Sequence, residues 1–268
     1  MSHSVLLVDF DPANLEPLSK PVADAYGFSP ADARLRMRQG WGFLEWDSPP
    51  QRANAIAGAL NHAGARAQVF ENSSLRQPGE TAVMSGFALS PDGFLPELRA
   101  PYGTPRTIPW IEISIVAAGG FSEEIVAGAA VEGQGKAVGL INMGILLATG
   151  IPAGLLQVRR KKKEKKPKSN TLFISFGQLT TANNESFFFN ADTVSFAGLG
   201  EAKQMSSAQN YRTLIALLAQ RSSARLNMGA RCVIEKRGMS AANYEGIGDF
   251  ERELLWMLNA RERVKGEG

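Results

Sequence analysis

Cysteine and histidine are scarce in this chain of 268 residues, which has one cysteine, Cys232, and two histidines, His3 and His62. A single cysteine excludes an intramolecular disulfide framework and any zinc site built from several cysteines. With so few histidines, a metal centre would need carboxylate ligands almost alone. Residues 1–30 contain no basic region followed by an apolar core, so no secretory signal is visible. A reducing cytoplasm is therefore the expected compartment.

Acidic residues are almost missing from residues 159–168, where Glu164 is the only acid. The segment holds eight of the 29 lysines and arginines, so the basic pI of about 9.0 is a local property. Such a run can bind phosphates of nucleic acid or anionic lipid by releasing counterions, or it can be a solubilising loop. The candidate anion-binding residues are Arg159, Arg160, Lys161, Lys162, Lys163, Lys165, Lys166 and Lys168.

The chain also lacks a long uninterrupted apolar run. Its most apolar stretch, residues 138–158, is long enough to cross a bilayer, but it contains four glycines, Pro152 and the polar Asn142 and Gln157. Glycine and proline weaken a helix, and polar side chains oppose insertion into lipid. We therefore predict an insertion that leads into the basic segment, and the composition disfavours a membrane span.

The first 75 residues have a regular order of strand and helix patterns. Gly27 can end one helix, and Ser29 can cap the next, with Pro30 in its first turn. The order predicted is β-α-α-β-α-β. The strands are predicted at residues 4–10, 42–47 and 67–71, and the helices at 15–26, 29–40 and 49–63.

Short motifs in this region resemble those of the C-terminal domain of the ribosomal stalk protein L7/L12. They are residues 22–28 (VADAYGF), 31–34 (ADAR) and 60–65 (LNHAGA). Ala23 stands where that family has a prominent arginine, and the histidine-containing helix motif of the similarly folded adaptor ClpS is absent. In the stalk family, basic and apolar residues of the first two helices dock translation factors. The resemblance thus implies a partner-binding surface at Leu18, Lys20, Val22, Phe28 and Arg34.

Proline and glycine are concentrated in residues 76–107, which have no sustained period and are predicted to be a linker. Beyond it, Ile111, Ile113 and Ile115 alternate with polar residues, the pattern of a half-buried strand at 108–116. Residues 117–170 are predicted to be a flexible, Gly-rich and basic insertion. Further strands are predicted at 171–179, 186–196 and 228–236, and helices from 206 to about 220 and from 249 onwards.

These patterns place the chain in the α+β class. A small domain, residues 1–75, is followed by the linker at 76–107 and by a β-rich α+β domain at 108–268. The nearest architectural analogy for the second domain is a pleckstrin-homology-like barrel with a C-terminal helix, and it carries no function with it.

No catalytic pattern is complete in the sequence. Asp9 and Asp11 follow the first predicted strand, where acids bind Mg²⁺ in phosphoryl transfer, but no lysine ends a later strand of the same domain. Residues 133–139 (GQGKAVG) miss the spacings of the P-loop and of the dinucleotide fingerprint. Cys232 lies in an apolar context that predicts a small buried side chain.

Four phenylalanines form one further candidate site. They could stack nucleic-acid bases beside a basic tract, but the interleaved glycine and basic residues of an RNA-binding motif are missing. Core packing is therefore the prediction for Phe187, Phe188, Phe189 and Phe196.

The sequence therefore predicts a non-enzymatic, cytoplasmic protein-binding or adaptor protein, with no cofactor and no metal. Two alternatives stay open. One is electrostatic binding of nucleic acid or anionic membrane through residues 159–168, and the other is metal-dependent phosphoryl chemistry at Asp9 and Asp11.

Overall fold

The computed structural model describes residues 1–100, 106–126, 169–237 and 244–260, without the side chains of 122–126 and 169–173. The chain divides into two compact units. Unit 1 comprises Met1–Pro78 and Gly248–Gly268, and unit 2 comprises Gly79–Ile247. Helices and sheets occur in both, so the predicted α+β class is confirmed.

Unit 1 begins with the predicted order of elements. Three antiparallel strands lie in the sheet order β2-β1-β3. The apolar faces of three helices pack with this sheet, burying Val22, Met37 and Leu60. The elements are β1 (His3–Leu7), α1 (Glu16–Tyr26), α2 (Pro30–Gly40), β2 (Phe43–Ser48), α3 (Pro50–His62) and β3 (Ala67–Glu71).

The junction between α1 and α2 forms as its residues predict. Gly27 ends α1 with a φ of 68°, a left-handed conformation that glycine adopts without steric cost. The Ser29 hydroxyl accepts a hydrogen bond from the Asp32 N–H at 3.1 Å and so caps α2. Pro30 occupies the first turn, where no N–H is needed.

Unit 2 contains a mixed sheet in the order β10-β7-β8-β9-β4-β5-β6. Neighbours are antiparallel except for the parallel pairs β4–β9 and β7–β10. Its elements are β4 (Thr81–Leu89), β5 (Gly93–Leu98), β6 (Ile108–Pro109), β7 (Ile113–Val126), β8 (Ser169–Thr181), β9 (Ser186–Asn190), α4 (Ser207–Arg221), β10 (Arg225–Leu226) and α5 (Met228–Ile234).

The linker predicted at residues 76–107 is wrong, because β4 and β5 lie within it and pair with each other. The glycine and proline residues of this segment fit the packing and pairing of its strands and do not make it a flexible linker. A side chain at Gly93 would collide with the backbone of Ile108 on β6. Pro96, which cannot donate to a ladder, lies on β5 beyond the two residues that pair with β6. This composition therefore marks close contacts and a strand edge.

Three further predictions for the second domain need correction. The strand predicted at 228–236 is helix α5, which the Asn227 side chain caps by accepting from the Ala230 N–H at 2.8 Å. Ile111 is 85% exposed in a 3₁₀ turn, so the predicted alternation begins only at Ile113. Residues 117–126, assigned to the insertion, continue β7.

The core of unit 2 confirms two predictions. Cys232 is buried, and so are the four phenylalanines weighed as a base-stacking platform, of which Phe187, Phe189 and Phe196 belong to one core cluster. Residues 127–168, with the apolar stretch and all eight candidate anion-binding residues, lie outside the described residues. Within the described ranges, no helix is both long and apolar enough to cross a membrane.

The last helix, α6 (Ile247–Asn259), packs in unit 1 and not in the second domain to which the sequence assigned it. The Trp256 indole N–H donates to the Leu7 carbonyl at 2.6 Å, and the indole ring meets Phe10 edge-on with centroids 5.3 Å apart. The ring also lies where a side chain at Gly42 would be. The helix that the sequence analysis compared with the C-terminal helix of a pleckstrin-homology-like barrel is therefore part of unit 1.

We expect Gly42→Ala to lower the free energy of unfolding by at least about 1 kcal/mol more than Gly64→Ala. Both glycines have a positive φ, 88° and 92°, so both substitutions strain the backbone alike. A Cβ atom at Gly42 would lie 2.6 Å from the Trp256 ring, whereas nothing lies within 4 Å of one at Gly64. Chemical denaturation measures both losses, and equal losses would contradict the packing of α6.

In unit 2, Asn227→Asp is expected to lower the free energy of unfolding by about 2 to 4 kcal/mol. The Asn227 amide accepts from the Ala118 N–H and donates to the Ala118 carbonyl, both at 2.9 Å, in a buried position. A carboxylate keeps the first bond, loses the second and buries a charge. The control is Asn54→Asp, which removes an exposed bond to the Pro50 carbonyl and should change stability by less than about 0.5 kcal/mol. Similar losses in the two variants would refute the role assigned to Asn227.

Candidate functional site

The five residues predicted to bind a partner divide into buried and exposed side chains. Leu18 and Val22 are buried in unit 1, so their assignment to a binding surface is corrected. Their spacing of four residues puts both on the apolar stripe of α1. Lys20 and Phe28 are exposed, and the Arg34 side chain is 40% exposed. Only these three remain available to a partner.

Phe28 is an exposed aromatic side chain in a fixed orientation. It lies between Gly27, which ends α1, and Ser29, which caps α2, and it is 40% exposed. Its ring stacks on Tyr26, with centroids 5.1 Å apart and planes 16° from parallel. The Arg36 guanidinium lies 5.2 Å from the centroid of the Tyr26 ring, within the range of a cation–π contact.

Arg36 is itself anchored to β2. Its Nε and Nη2 atoms donate to the Leu44 carbonyl at 3.1 and 2.7 Å, and Nη2 also donates to Glu45 Oε1 at 3.1 Å. Arg52 lies 3.4 Å from the same carboxylate oxygen, and the Ser48 hydroxyl donates to the other at 2.7 Å. Glu45, only 6% exposed, therefore has both oxygens occupied.

The charge on Glu45 is stabilised by these neighbours. Burial alone would raise the pKa of Glu45, but the hydrogen bond from Ser48, the nearby Tyr26 hydroxyl and the charge of Arg52 hold that pKa below its usual value. Burial and the nearby Glu45 charge raise the pKa of Tyr26. Glu45 is therefore ionised and Tyr26 neutral at physiological pH, as the contacts with Arg36 require.

Leu35 and Trp46 are exposed apolar side chains that the sequence reasoning missed. Leu35 on α2 is 53% exposed, and Trp46 on β2 is 49% exposed with its ring 4.9 Å from that of Phe43. The helix period contained a signal for Leu35, because the buried positions of α2 are Ala33 and Met37. We define the α1–α2 surface as Lys20, Phe28, Arg34 and Leu35.

Both cations of the α1–α2 surface have an exposed acidic neighbour. Lys20 Nζ lies 2.6 Å from Asp24 Oδ2, and Arg34 Nη1 lies 2.9 Å from Glu16 Oε2. Exposed ion pairs of this kind typically contribute no more than about 1 kcal/mol. Each cation can therefore exchange its neighbour for an acid of a partner at little cost.

The two acids proposed for phosphoryl chemistry are both engaged within unit 1. Arg66 donates from Nε and Nη2 to the two carboxylate oxygens of Asp9, and this pairing holds the pKa of Asp9 below its usual value. Asp11 accepts from the Ala13 N–H at 3.1 Å, as a turn cap does. A metal at Asp9 would have to displace Arg66. Among the residues that the structure describes, no three or more His, Cys, Asp and Glu side chains are grouped to hold a metal ion.

The chain matches no known protein family, no curated protein and no solved structure. The resemblance to the stalk protein therefore stays a prediction, and the function has to be argued from the geometry of unit 1.

The Glu45 contacts predict a pH effect on stability. Because the pKa of Glu45 is lowered by folding, Glu45 stabilises the fold above the pKa that it has in the unfolded chain, and this contribution is lost as the pH falls through the lower pKa of the folded state. Glu45→Gln should therefore lower the free energy of unfolding at pH 7 by about 2 kcal/mol and make its decline below pH 5 less steep.

Denaturant titrations between pH 3 and 7 measure this effect. Glu16→Gln is the matched control in the same unit, since its ion pair with Arg34 is exposed and should contribute little. The same acid dependence in Glu45→Gln as in the parent protein would show that Glu45 is not the group responsible.

Proposed function

We propose that unit 1 is a protein-docking module and that the chain is a non-enzymatic, cytoplasmic interaction or adaptor protein. The observation that carries the proposal is Phe28, an exposed ring stacked on Tyr26, which is in turn contacted by the anchored Arg36. A pre-oriented aromatic ring loses little freedom on binding, and such rings are common interface anchors.

The partner surface that fits this site is apolar at its centre and acidic at its edge. Phe28 and Leu35 would enter an apolar pocket or groove, and Lys20 and Arg34 would pair with carboxylates around it. Charges at the rim of an interface act mainly on the rate of association and on specificity. Most of the affinity would therefore come from the two apolar side chains.

The edges of the sheet in unit 1 favour docking by side chains over strand addition. On β2, the Leu44 carbonyl is occupied by Arg36. On β3, the Ala67 N–H and carbonyl bond to the Asn61 side chain at 2.9 and 3.1 Å. An incoming strand needs free backbone groups along an edge, and these side chains take part of them.

Capture of proteins from lysate by the immobilised full-length chain tests the proposal. We expect Phe28→Ser, and separately Lys20→Glu with Arg34→Glu, to reduce capture of a specific partner at least about tenfold, as loss of interface anchors does. Matched controls in unit 2 are Ile111→Ser, which removes another exposed apolar side chain, and Lys203→Glu with Arg212→Glu, which makes the same change in charge.

The controls should capture as the parent protein does. Unchanged capture by Phe28→Ser and by the double charge reversal would remove the α1–α2 surface from consideration. Equal losses in the unit 2 controls would show that the effect is one of net charge or solubility.

A further inference from the structure

We propose that α6 controls the conformation of the C-terminal half of α2 and thereby the α1–α2 surface. Two consecutive residues between α2 and β2 have a positive φ, and one face of α6 contacts the last turn of α2 and the second of these two residues. The coupling is a property of unit 1 alone, while its consequence for binding rests on the function proposed above.

The turn after α2 is strained at one residue. Trp41 has a φ of 48° and Gly42 a φ of 88°. Glycine adopts this region freely, but a bulky residue does so only when its surroundings enforce it. The turn is nevertheless hydrogen-bonded, since the Trp41 N–H donates to the Arg38 carbonyl at 3.3 Å and the Gly42 N–H to the Met37 carbonyl at 3.4 Å. The conformation of Trp41 thus determines how α2 ends.

The Trp256 indole of α6 is placed where it holds this turn. Its ring lies against Gly42 so closely that a Cβ atom there would be 2.6 Å away. Its N–H donates to the Leu7 carbonyl at 2.6 Å, and the Leu7 N–H donates to the Gly42 carbonyl at 2.9 Å. Hydrogen bonds therefore connect Trp256 to Leu7 and Leu7 to Gly42, and movement of the indole removes the ring that restricts the backbone at Gly42.

A second residue of α6 contacts the last turn of α2. The Arg252 guanidinium donates from Nη1 to the Gln39 carbonyl at 3.3 Å. A cation favours the C-terminal end of a helix, where carbonyl groups lack partners within the helix. Arg252 and Trp256 are four residues apart and so lie on one face of α6. The same face of α6 therefore contacts the end of α2 and the turn that follows it.

Release of α6 removes the Trp256 ring from Gly42 and the Arg252 donor from Gln39, which are the contacts of α6 on either side of Trp41. Trp41 then relaxes to an ordinary backbone conformation, and the hydrogen bonds to Met37 and Arg38 are lost with it. Leu35 lies one turn or less from these residues. The docking side chain of α2 thus depends on whether α6 is in place, and a ligand that displaces α6 would weaken partner binding.

Hydrogen–deuterium exchange on the full-length protein tests the coupling without any partner. Trp256→Phe keeps an aromatic ring and removes the donor to Leu7. We expect amide exchange in residues 37–44 to become roughly tenfold faster, as loss of one hydrogen bond to a buried carbonyl allows, and exchange in α3 to stay unchanged. Trp110→Phe is the matched control, because the Trp110 indole N–H donates to the backbone of Ser90 and Pro91 in unit 2.

Two outcomes would overturn the proposal. One is unchanged exchange in residues 37–44 of Trp256→Phe, and the other is an equal increase in α3, which would reflect general destabilisation of unit 1. Arg252→Gln, at an exposed contact, should accelerate exchange in the same residues by a smaller factor. If Phe28→Ser leaves capture unchanged while Trp256→Phe gives the local increase, the docking function fails and the coupling stands.

Discussion

The described parts of this chain depend on asparagine side chains that bind both backbone groups of one residue. A carboxamide offers an acceptor and a donor side by side, as a neighbouring strand does, so it satisfies backbone groups that a sheet edge or a chain crossing would leave unpaired. In two of these pairs the backbone partner of the asparagine lies on a strand, and in the other two it lies in a connecting segment. They are Asn61 with Ala67, Asn210 with Gln204, Asn227 with Ala118, and Asn259 with Arg76.

Each of these asparagines lies in a helix or caps one, and its side chain joins that helix to another segment of the chain. Asn259 is the last residue of α6, and its bonds to Arg76 at 2.8 and 3.0 Å tie the end of that helix to the segment after β3. Asn227 caps α5 and also bonds to β7 beyond the two residues that pair with β10. Gly229 makes this approach feasible, because any side chain there would collide with the Ala118 backbone. The asparagine side chains thus bind backbone groups that would otherwise need an additional strand as a partner.

Local signals made the start of unit 1 predictable from the sequence. Gly27, Ser29 and Pro30 specify the junction of α1 and α2 through their own backbone preferences, and β3 has the predicted bounds. The errors in predicted secondary structure and domain assignment arise where contacts with residues far away in sequence determine the structure. The residues of α5 include Val233 and Ile234, which favour strands. The Asn227 cap is a local helix signal, but the contact of Gly229 that supports the helix is with β7, over a hundred residues earlier. No local pattern assigns α6 to unit 1, because its main partners, Leu7 and Gly42, are far away in sequence.

The candidate site was predictable only at its outermost side chains. A family resemblance supplied Lys20, Phe28 and Arg34, but it could not separate them from the buried Leu18 and Val22, which the helix period alone would have done. The support beneath Phe28 comes from α1, α2 and β2 together, so no single segment contains it. Its innermost member is the buried Glu45 carboxylate, whose partners Arg36 and Arg52 have side chains that are 40% and 62% exposed. The same contacts orient Arg36, because its guanidinium is hydrogen-bonded to Leu44 and Glu45 where it lies 5.2 Å from the centroid of the Tyr26 ring.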